Sequence, residues 1–496
     1  MQIFGYLPTC KDISLVNKLF YSIVCKMNDS NACLRIDDRF LERFFRNNLI
    51  DSQCLLSIQA STRQISKVEI DGTYLRSFGY KARRSFVSSV ISMVERFPAT
   101  IKSLKYAGVI MDESTFLEIL SLTPDVEHLD LQHLSHCIDH QPTKRSRRND
   151  MDLNLKKLKS LSLVGCDKKF VTIFNRLPAG VLTEMRINDV HWRTVTDLLS
   201  RQWNIKDLKL DRILAADGAA DIFDRLCLES LEVHEHDFKM SSDTIAAMVA
   251  KQAKLKWLTV SARAVDERVM TAVADNVELE MLSVNVTETP AASIAQLTKL
   301  KKLKELTLRF YDDEDATQLK ALARLDNTSI VKLTLKGYFT MPADLCNALL
   351  KSVPNLRHLH VCPTNHLSSA EMDAVMSHFN FVEVLEVHAS EKPLLETGSH
   401  YFNAKLNELA IAGDVGEHVL CKPWLTKLTV SYPNLRKLQI KIGGRQPITS
   451  IEIRPLLRGF TKLESLSLEA RSTKLIVEDS DCLQDRKSNL KFLSLG

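Results

Sequence analysis

The residues of this sequence best suited to chemistry are its histidines and cysteines: imidazole and thiolate bind metals, and a thiolate beside an imidazole is a nucleophile. The densest group is HLSHCIDH, in which His133, His136, Cys137 and His140 have a spacing that would let them converge on zinc. The group falls in an interval of 32 residues between Val126 and Leu158 and is followed at once by Lys144, Arg145, Arg147 and Arg148, so a solvated insertion loop explains it equally well. The basic run itself reads either as a nuclear localisation patch or as a solvated face. A second group, His358, His360 and Cys362, alternates along one stretch, and in-register stacking would set His388 beside Cys362. A flat sheet face offers no oxyanion hole or water-excluding pocket, so this group reads as binding surface rather than as a Cys–His nucleophile. The sequence contains no Gly-rich phosphate loop, no H-E-x-x-H and no G-x-S-x-G, and its 15 glycines leave few loops for such sites. No catalytic residue, metal or cofactor is therefore assigned, and the chain is expected not to be an enzyme.

Composition narrows the classes further. The 66 basic and 61 acidic residues are intermingled and leave a net charge of +5, which lacks the polycationic signature of a nucleic-acid binder. The 11 cysteines include no C-x-x-C pair, a usage suited to a reducing compartment. No signal-peptide pattern opens the chain and no apolar run approaches membrane length. The expectation is a cytoplasmic and/or nuclear protein with no nucleic-acid or membrane partner.

What must position any site is a repeat. The pattern apolar-x-x-apolar-x-apolar recurs sixteen times, from IKSLKY at Ile101 through LKWLTV at Leu255, LKELTL at Leu303 and LRHLHV at Leu356 to LKFLSL at Leu490. The 389 residues between the first and last starts make fifteen intervals of about 26 residues, and a weaker copy, ISKVEI, begins at Ile65. The period-2 half of each copy predicts a half-buried strand. Between copies the period becomes helical, as at Val87, Val90, Ile91, Val94 and Phe97, or at Ala370, Ala374, Val375 and Met376. Capping boxes are expected at Thr115 with Glu118, Thr194 with Asp197 and Ser368 with Glu371. This register resembles the leucine-rich repeats over residues 65–496, although the Asn or Cys of their usual turn ladder is matched well only by Cys166. The resemblance implies an α/β solenoid of about 16–17 repeats, a horseshoe with a parallel concave sheet and outer helices.

Ahead of the repeats, residues 3–25 read IFGYLPTCKDISLVNKLFYSIVC, with Thr9 and Asp12 as a capping box and Ile13, Val16, Phe20 and Ile23 at helical spacing. Leu7-Pro8, Ile13, Val16 and Phe20 resemble the Leu-Pro turn, second helix and Val-x-x-x-Phe core of the F-box, giving a partial helical module over residues 1–30. In that family the module docks on the Skp adaptor of Skp-cullin-F-box ubiquitin ligases while downstream repeats hold the substrate. The resemblance thus implies Leu7, Pro8, Ile13, Val16 and Phe20 as adaptor contacts and, through the adaptor, a cullin-RING ligase as partner. The family's opening segment is missing before Ile3 and the last repeat stops on a strand, so both ends are expected to be cut. The other reading of residues 3–25 is a helical cap over the first repeat's open edge. Residues 31–64 are expected to be linking helices, with Phe40, Leu41, Phe44, Phe45 and Leu49 apolar.

The x positions of the repeat face away from the core, and most are polar. Trp257 and Met281 on adjacent copies are exceptions, with Arg309, Phe310, Lys336 and Tyr338 on the next two. An exposed Trp flanked by Arg and Tyr has the composition of an interface hot spot, so these six residues are assigned to substrate binding; packing of Trp257 on a neighbouring helix is the alternative. The function expected is a substrate-recognition subunit of a Skp-cullin-F-box E3 ligase, binding an unknown protein for ubiquitylation and proteasomal degradation. The alternative is a non-catalytic repeat scaffold or inhibitor with no ligase link.

Overall fold

Alternation of apolar and polar residues over five or six positions turns each copy of the repeat into a strand with two or three leucine-type side chains inward. A computed structural model of the chain describes residues 32–36, 65–73, 86–87, 90–91, 94–95, 100–136, 153–213, 220–234, 240–261, 265–286, 289–311, 321–389, 402–413, 422–442, 451–452, 454–470, 477–478 and 490–495. The chain divides into two units, 1–238 and 239–496.

In the first unit, β1 (Ala32–Ile36), β2 (Ile65–Asp71), β3 (Ser103–Ala107), β4 (His128–Gln132), β5 (Ser160–Val164), β6 (Glu184–Asn188), β7 (Asp207–Asp211) and β8 (Ser230–His234) pair in parallel, each with the next. In the second unit the same holds for β9 (Trp257–Ser261), β10 (Met281–Asn285), β11 (Glu305–Phe310), β12 (Lys332–Gly337), β13 (His358–Pro363), β14 (Val384–His388), β15 (Glu408–Gly413), β16 (Lys437–Ile442), β17 (Ser465–Ala470) and β18 (Phe492–Leu495). Strand and crossover alternate, with most crossovers helical, so each unit is a leucine-rich-repeat array with a parallel sheet. The strand β1 lies in the segment expected to be linking helices. Its Ile36 is buried and stands beside Ile70, so a five-residue apolar alternation was enough to extend the ladder.

Register is set by the core. Leu282, Leu306, Leu333, Leu359, Leu385, Leu409, Leu438 and Leu466 are Cα partners from rung to rung, and each is at most 2% exposed. A one-residue slip would turn every one of them to water. Helices then cover the inward side: Glu113–Leu122, Trp192–Arg201, Ser242–Ala250, Glu267–Ala274, Ala343–Ser352 and Ser369–His378 all bury an apolar stripe. In the last, Met372, Ala374, Val375 and Met376 are inward, while Ala370 is exposed.

The caps differ from expectation at two of three sites. Ser368 and Glu371 form the expected reciprocal box. The helix at 113 is instead capped by Asp112, whose carboxylate accepts from the Thr115 amide at 2.8 Å, because an acceptor three residues earlier reaches the free amides first. The helix at 192 starts after His191 with no side-chain cap, which puts Thr194 inside its first turn.

The turn ladder is present in other chemistry than the repeat consensus. Cys166 does what that position demands: its buried thiol donates to the carbonyls of Leu131 and Val164 at 3.4 and 3.6 Å, and burial pushes it up to about 11. Elsewhere a buried amide three residues before the rung takes over. Gln202 accepts from the Val181 and Leu182 amides and donates to Pro178. Asn276 donates to Val249 and Ala272, and Asn327 to Leu297 and Leu300. Asn403 donates to the Val382 carbonyl at 2.9 Å and accepts from the Lys405 and Leu406 amides at 2.8 and 3.1 Å. In the first unit the strand exits also share a device: Gly108, His133, Gly165, Asp189 and Arg212 all adopt positive φ, and the amide of each donates to the last residue of the next strand.

Two outcomes follow. Replacement Asn403→Ala strands a buried carbonyl, a buried amide and a part-buried amide, and should cost about 2–4 kcal/mol in denaturant unfolding. Partial burial pushes the Asp112 carboxyl up, but bonds from Ser114 and Thr115 outweigh this and hold it below the usual range. A lowered folded pKa means that the cap contributes fully above about pH 4 and fades as pH falls through the folded value. Asp112→Ala should therefore loosen helix 113–122 by about 1 kcal/mol at neutral pH, read by amide exchange, with the gap to wild type shrinking on acidification.

Candidate functional site

The outward positions of both arrays line up as rows, because in-register partners share a face. In the first unit the central rows carry charge, much of it paired within the rows, although Arg186 has no ion pair among the described residues. Glu69 meets Lys67 at 2.6 Å, Lys105 meets Asp130 at 3.5 Å, and Glu232 takes both Lys209 and His234, the latter at 3.2 Å. Asn188 bridges Asp211 and Arg212 at 2.9 and 3.3 Å.

The second unit is different. Trp257 on β9 is 41% exposed and is the Cα partner of Met281 on β10, which is half-buried, so the sheet brings together the pair expected from the sequence. Arg309 on β11 and Lys336 on β12 are likewise Cα partners and half-buried. The guanidinium of Arg309 donates to the Ser261 hydroxyl, and Lys336 has no carboxylate within ion-pair distance among the described residues, whereas Lys332 on the same strand pairs with Glu305 at 2.9 Å. These two pairs do not form one cluster. They occupy opposite edges of the sheet, four residues or about 13 Å apart along the strand direction, and different strands, β9–β10 against β11–β12. Between them runs a floor of small side chains, Thr259, Ser283, Thr307 and Thr334, joined in register. The row of Trp257 and Met281 continues through the ion-paired Glu305 and Lys332, and the opposite row runs from Asn285 to Arg309 and Lys336, so the floor is a trough in which the apolar pair and the cationic pair stand diagonally.

Phe310 is not part of it. The residue is 1% exposed and packs against Phe339 at 5.6 Å between ring centroids. Two-residue alternation places it with Leu306 and Leu308 on the core side, whereas Arg309 faces out. Tyr338 is half-buried just past the end of β12, its amide donating to the Phe310 carbonyl at 2.8 Å. That turn needs Gly337, whose φ is +107° and whose place a Cβ could take only 1.7 Å from the Phe310 oxygen.

At β13 the floor changes character. His360 replaces the small residues, Cys362 follows Lys336 in the outer row, and the Cys362 Sγ lies 3.4 Å from His388 Nδ1, the adjacency expected from register. Burial lowers the pKa of His360, with nearby Glu386 opposing that, and burial raises the thiol of Cys362. Both groups are thus favoured neutral. Of the other sequence candidates, His133 is a turn residue whose ring lies over Gly165, and His136 sits on a two-residue strand paired with Ile110–Met111. Cys137 and His140 lie outside the described residues, as do Leu7, Pro8, Ile13, Val16 and Phe20. Among the described residues no helix is long and apolar enough to cross a membrane.

No family model and no curated protein sequence matches the chain. Among solved structures it is similar to TLR13 in its complex with ssRNA13 (14% identity, TM-score 0.39, 87% of this chain and 73% of that one). It is also similar to the leucine-rich repeat-containing protein LegL7 from Legionella pneumophila (13%, 0.34, 68% and 91%) and to an internalin from Listeria monocytogenes (16%, 0.30, 84% and 93%). The repeat assignment rests on the chain's own ladder.

Truncation separates wall from core. Phe310→Ala should cost about 3–5 kcal/mol, whereas Trp257→Ala and Arg309→Ala should each stay within about 1 kcal/mol of wild type in thermal unfolding.

Proposed function

We propose that the chain binds a partner protein in the trough of β9–β12 and presents it, through the F-box-like segment at residues 3–25, to a Skp-cullin-F-box ubiquitin ligase as substrate. The observation that carries the binding half is the trough itself. An exposed aromatic and a thioether stand diagonally from two cations across a floor of hydroxyl-bearing residues, a combination of apolar anchor and Arg that concentrates binding energy at interfaces. Its width of about 13 Å suits one helix, about 10 Å across, or an extended segment. The unpaired Lys336 and the Arg309 guanidinium favour an acidic stretch on that partner.

The ligase half rests on Leu7-Pro8 and the Val16-x-x-x-Phe20 spacing in the sequence. The chain itself would transfer nothing, since ligation chemistry belongs to the ligase partners. Without the adaptor, the same trough makes the chain a repeat scaffold or inhibitor.

Recovery of Skp adaptor with the full chain, lost on deletion of residues 1–24, is the expected result. Absence of adaptor from the full-chain precipitate overturns the ligase half and leaves the scaffold. The trough is tested separately: proteins that co-purify with wild type should fall at least about tenfold with Trp257→Ala combined with Arg309→Ala, and unchanged recovery would refute the assignment.

A further inference from the structure

The geometry points to a metal centre away from the HLSHCIDH group: a site for a single zinc-class divalent ion on the open face of β13 and β14, held by His360, Cys362 and His388, with the fourth position open. The three residues reach one point because of the ladder. His360 and Cys362 are two apart on β13 and so share a face, and His388 stands beside Cys362 on β14. One ligand atom from each lies within 4.8 Å of the others, and the Cys362 Sγ to His388 Nδ1 separation is 3.4 Å. A tetrahedral zinc with nitrogen at about 2.0 Å and sulfur at about 2.3 Å needs its donors about 3.3–3.8 Å apart, a spacing the Cys362–His388 pair already has.

A second observation is independent of that spacing. His360 Nε2 is shut off from solvent with no hydrogen-bond partner. The Glu386 carboxylate lies 3.4 Å away but is not aligned to accept from it. A buried imidazole nitrogen left unsatisfied costs free energy that a metal bond, or a ring turned to meet the carboxylate while its other nitrogen binds metal, would recover. Glu386 supplies negative charge beside the cation in either orientation, and His366, whose ring centroid is 6.4 Å from that of His388, stands at the rim. One thiolate and two imidazoles form a borderline-soft donor set that selects zinc over magnesium or calcium. On binding, the Cys362 thiol releases its proton to solvent and the sulfur bonds the ion. The Lys336 cation beside Cys362 opposes the metal's charge and limits affinity without blocking the donor atoms. The open position faces the same side as the trough, so a donor side chain from a bound protein could complete the shell.

Cobalt(II) is the probe, titrated into the full-length chain. The expected result is one equivalent of ion with a thiolate-to-cobalt charge-transfer band and the strong visible bands of a tetrahedral centre. Zinc should discharge both, and excess magnesium should leave them unchanged. C362S should abolish the charge-transfer band, and H360Q or H388Q should weaken cobalt binding by at least about tenfold. A band absent from wild type, or of full amplitude in C362S, overturns the site. Zinc-edge absorption on the wild-type chain does not depend on a variant's folding: one sulfur near 2.3 Å with two imidazoles is expected, and a shell without sulfur, or with several, overturns it.

Discussion

Parallel pairing of strands that cannot be stable alone is the constraint from which the rest of this structure follows. A single rung exposes both backbone edges and half of its leucines; stacked on a neighbour about 4.8 Å away, it satisfies the first and buries the second. Because leucine must stand on leucine, the register is fixed residue by residue, and every outward side chain inherits a defined neighbour. The charges just ahead of the strands show the same discipline: Lys102, Glu127 and Lys159 alternate on successive rungs of the first unit, and Arg436, Glu464 and Lys491 on those of the second. Exposed pairs of this kind add little stability each. Their alternation does penalise a slip by one rung, which would set like charges side by side.

The same register makes much of the fold legible in the amino-acid sequence. All sixteen copies from Ile101 onward contain strands, and His388 falls beside Cys362 because counting along the repeat puts it there. Phe310 departs from the expected outward row because period 2 turns it inward beside Leu306 and Leu308. Capping by Asp112 was missed since a hydroxyl and carboxylate three apart occur by chance as well as by function, and only the place where the strand exit returns the chain decides which acceptor is used. The repeat consensus puts the turn ladder at an Asn or Cys after the strand. It is built largely from Gln202, Asn276, Asn327 and Asn403 before it, a signal visible in the sequence as a polar residue at a fixed offset from each rung.

Function is less legible because a repeat face recognises by rows rather than by motif. Trp257 and Arg309 stood out by residue type, but their separation across a floor of threonines and serine required the pairing of four strands to see. The small residues are the informative part: they lower the sheet surface between two walls, and their own chemistry attracts no attention in a sequence. The histidines and cysteine of the next two rungs end that floor, so an anchor, a basic edge and a donor cluster share one face of the second unit.

Site-directed photocrosslinking tests the central claim, that this face is where a partner binds, most directly. A photoreactive phenylalanine analogue would be placed at Trp257, in the trough, or at Lys351, on the helix covering the other side of the sheet, and irradiated in extract from the native cell type. The account predicts a discrete protein adduct from position 257 and none from 351. An adduct only from 351, or the same adduct from both, would contradict it.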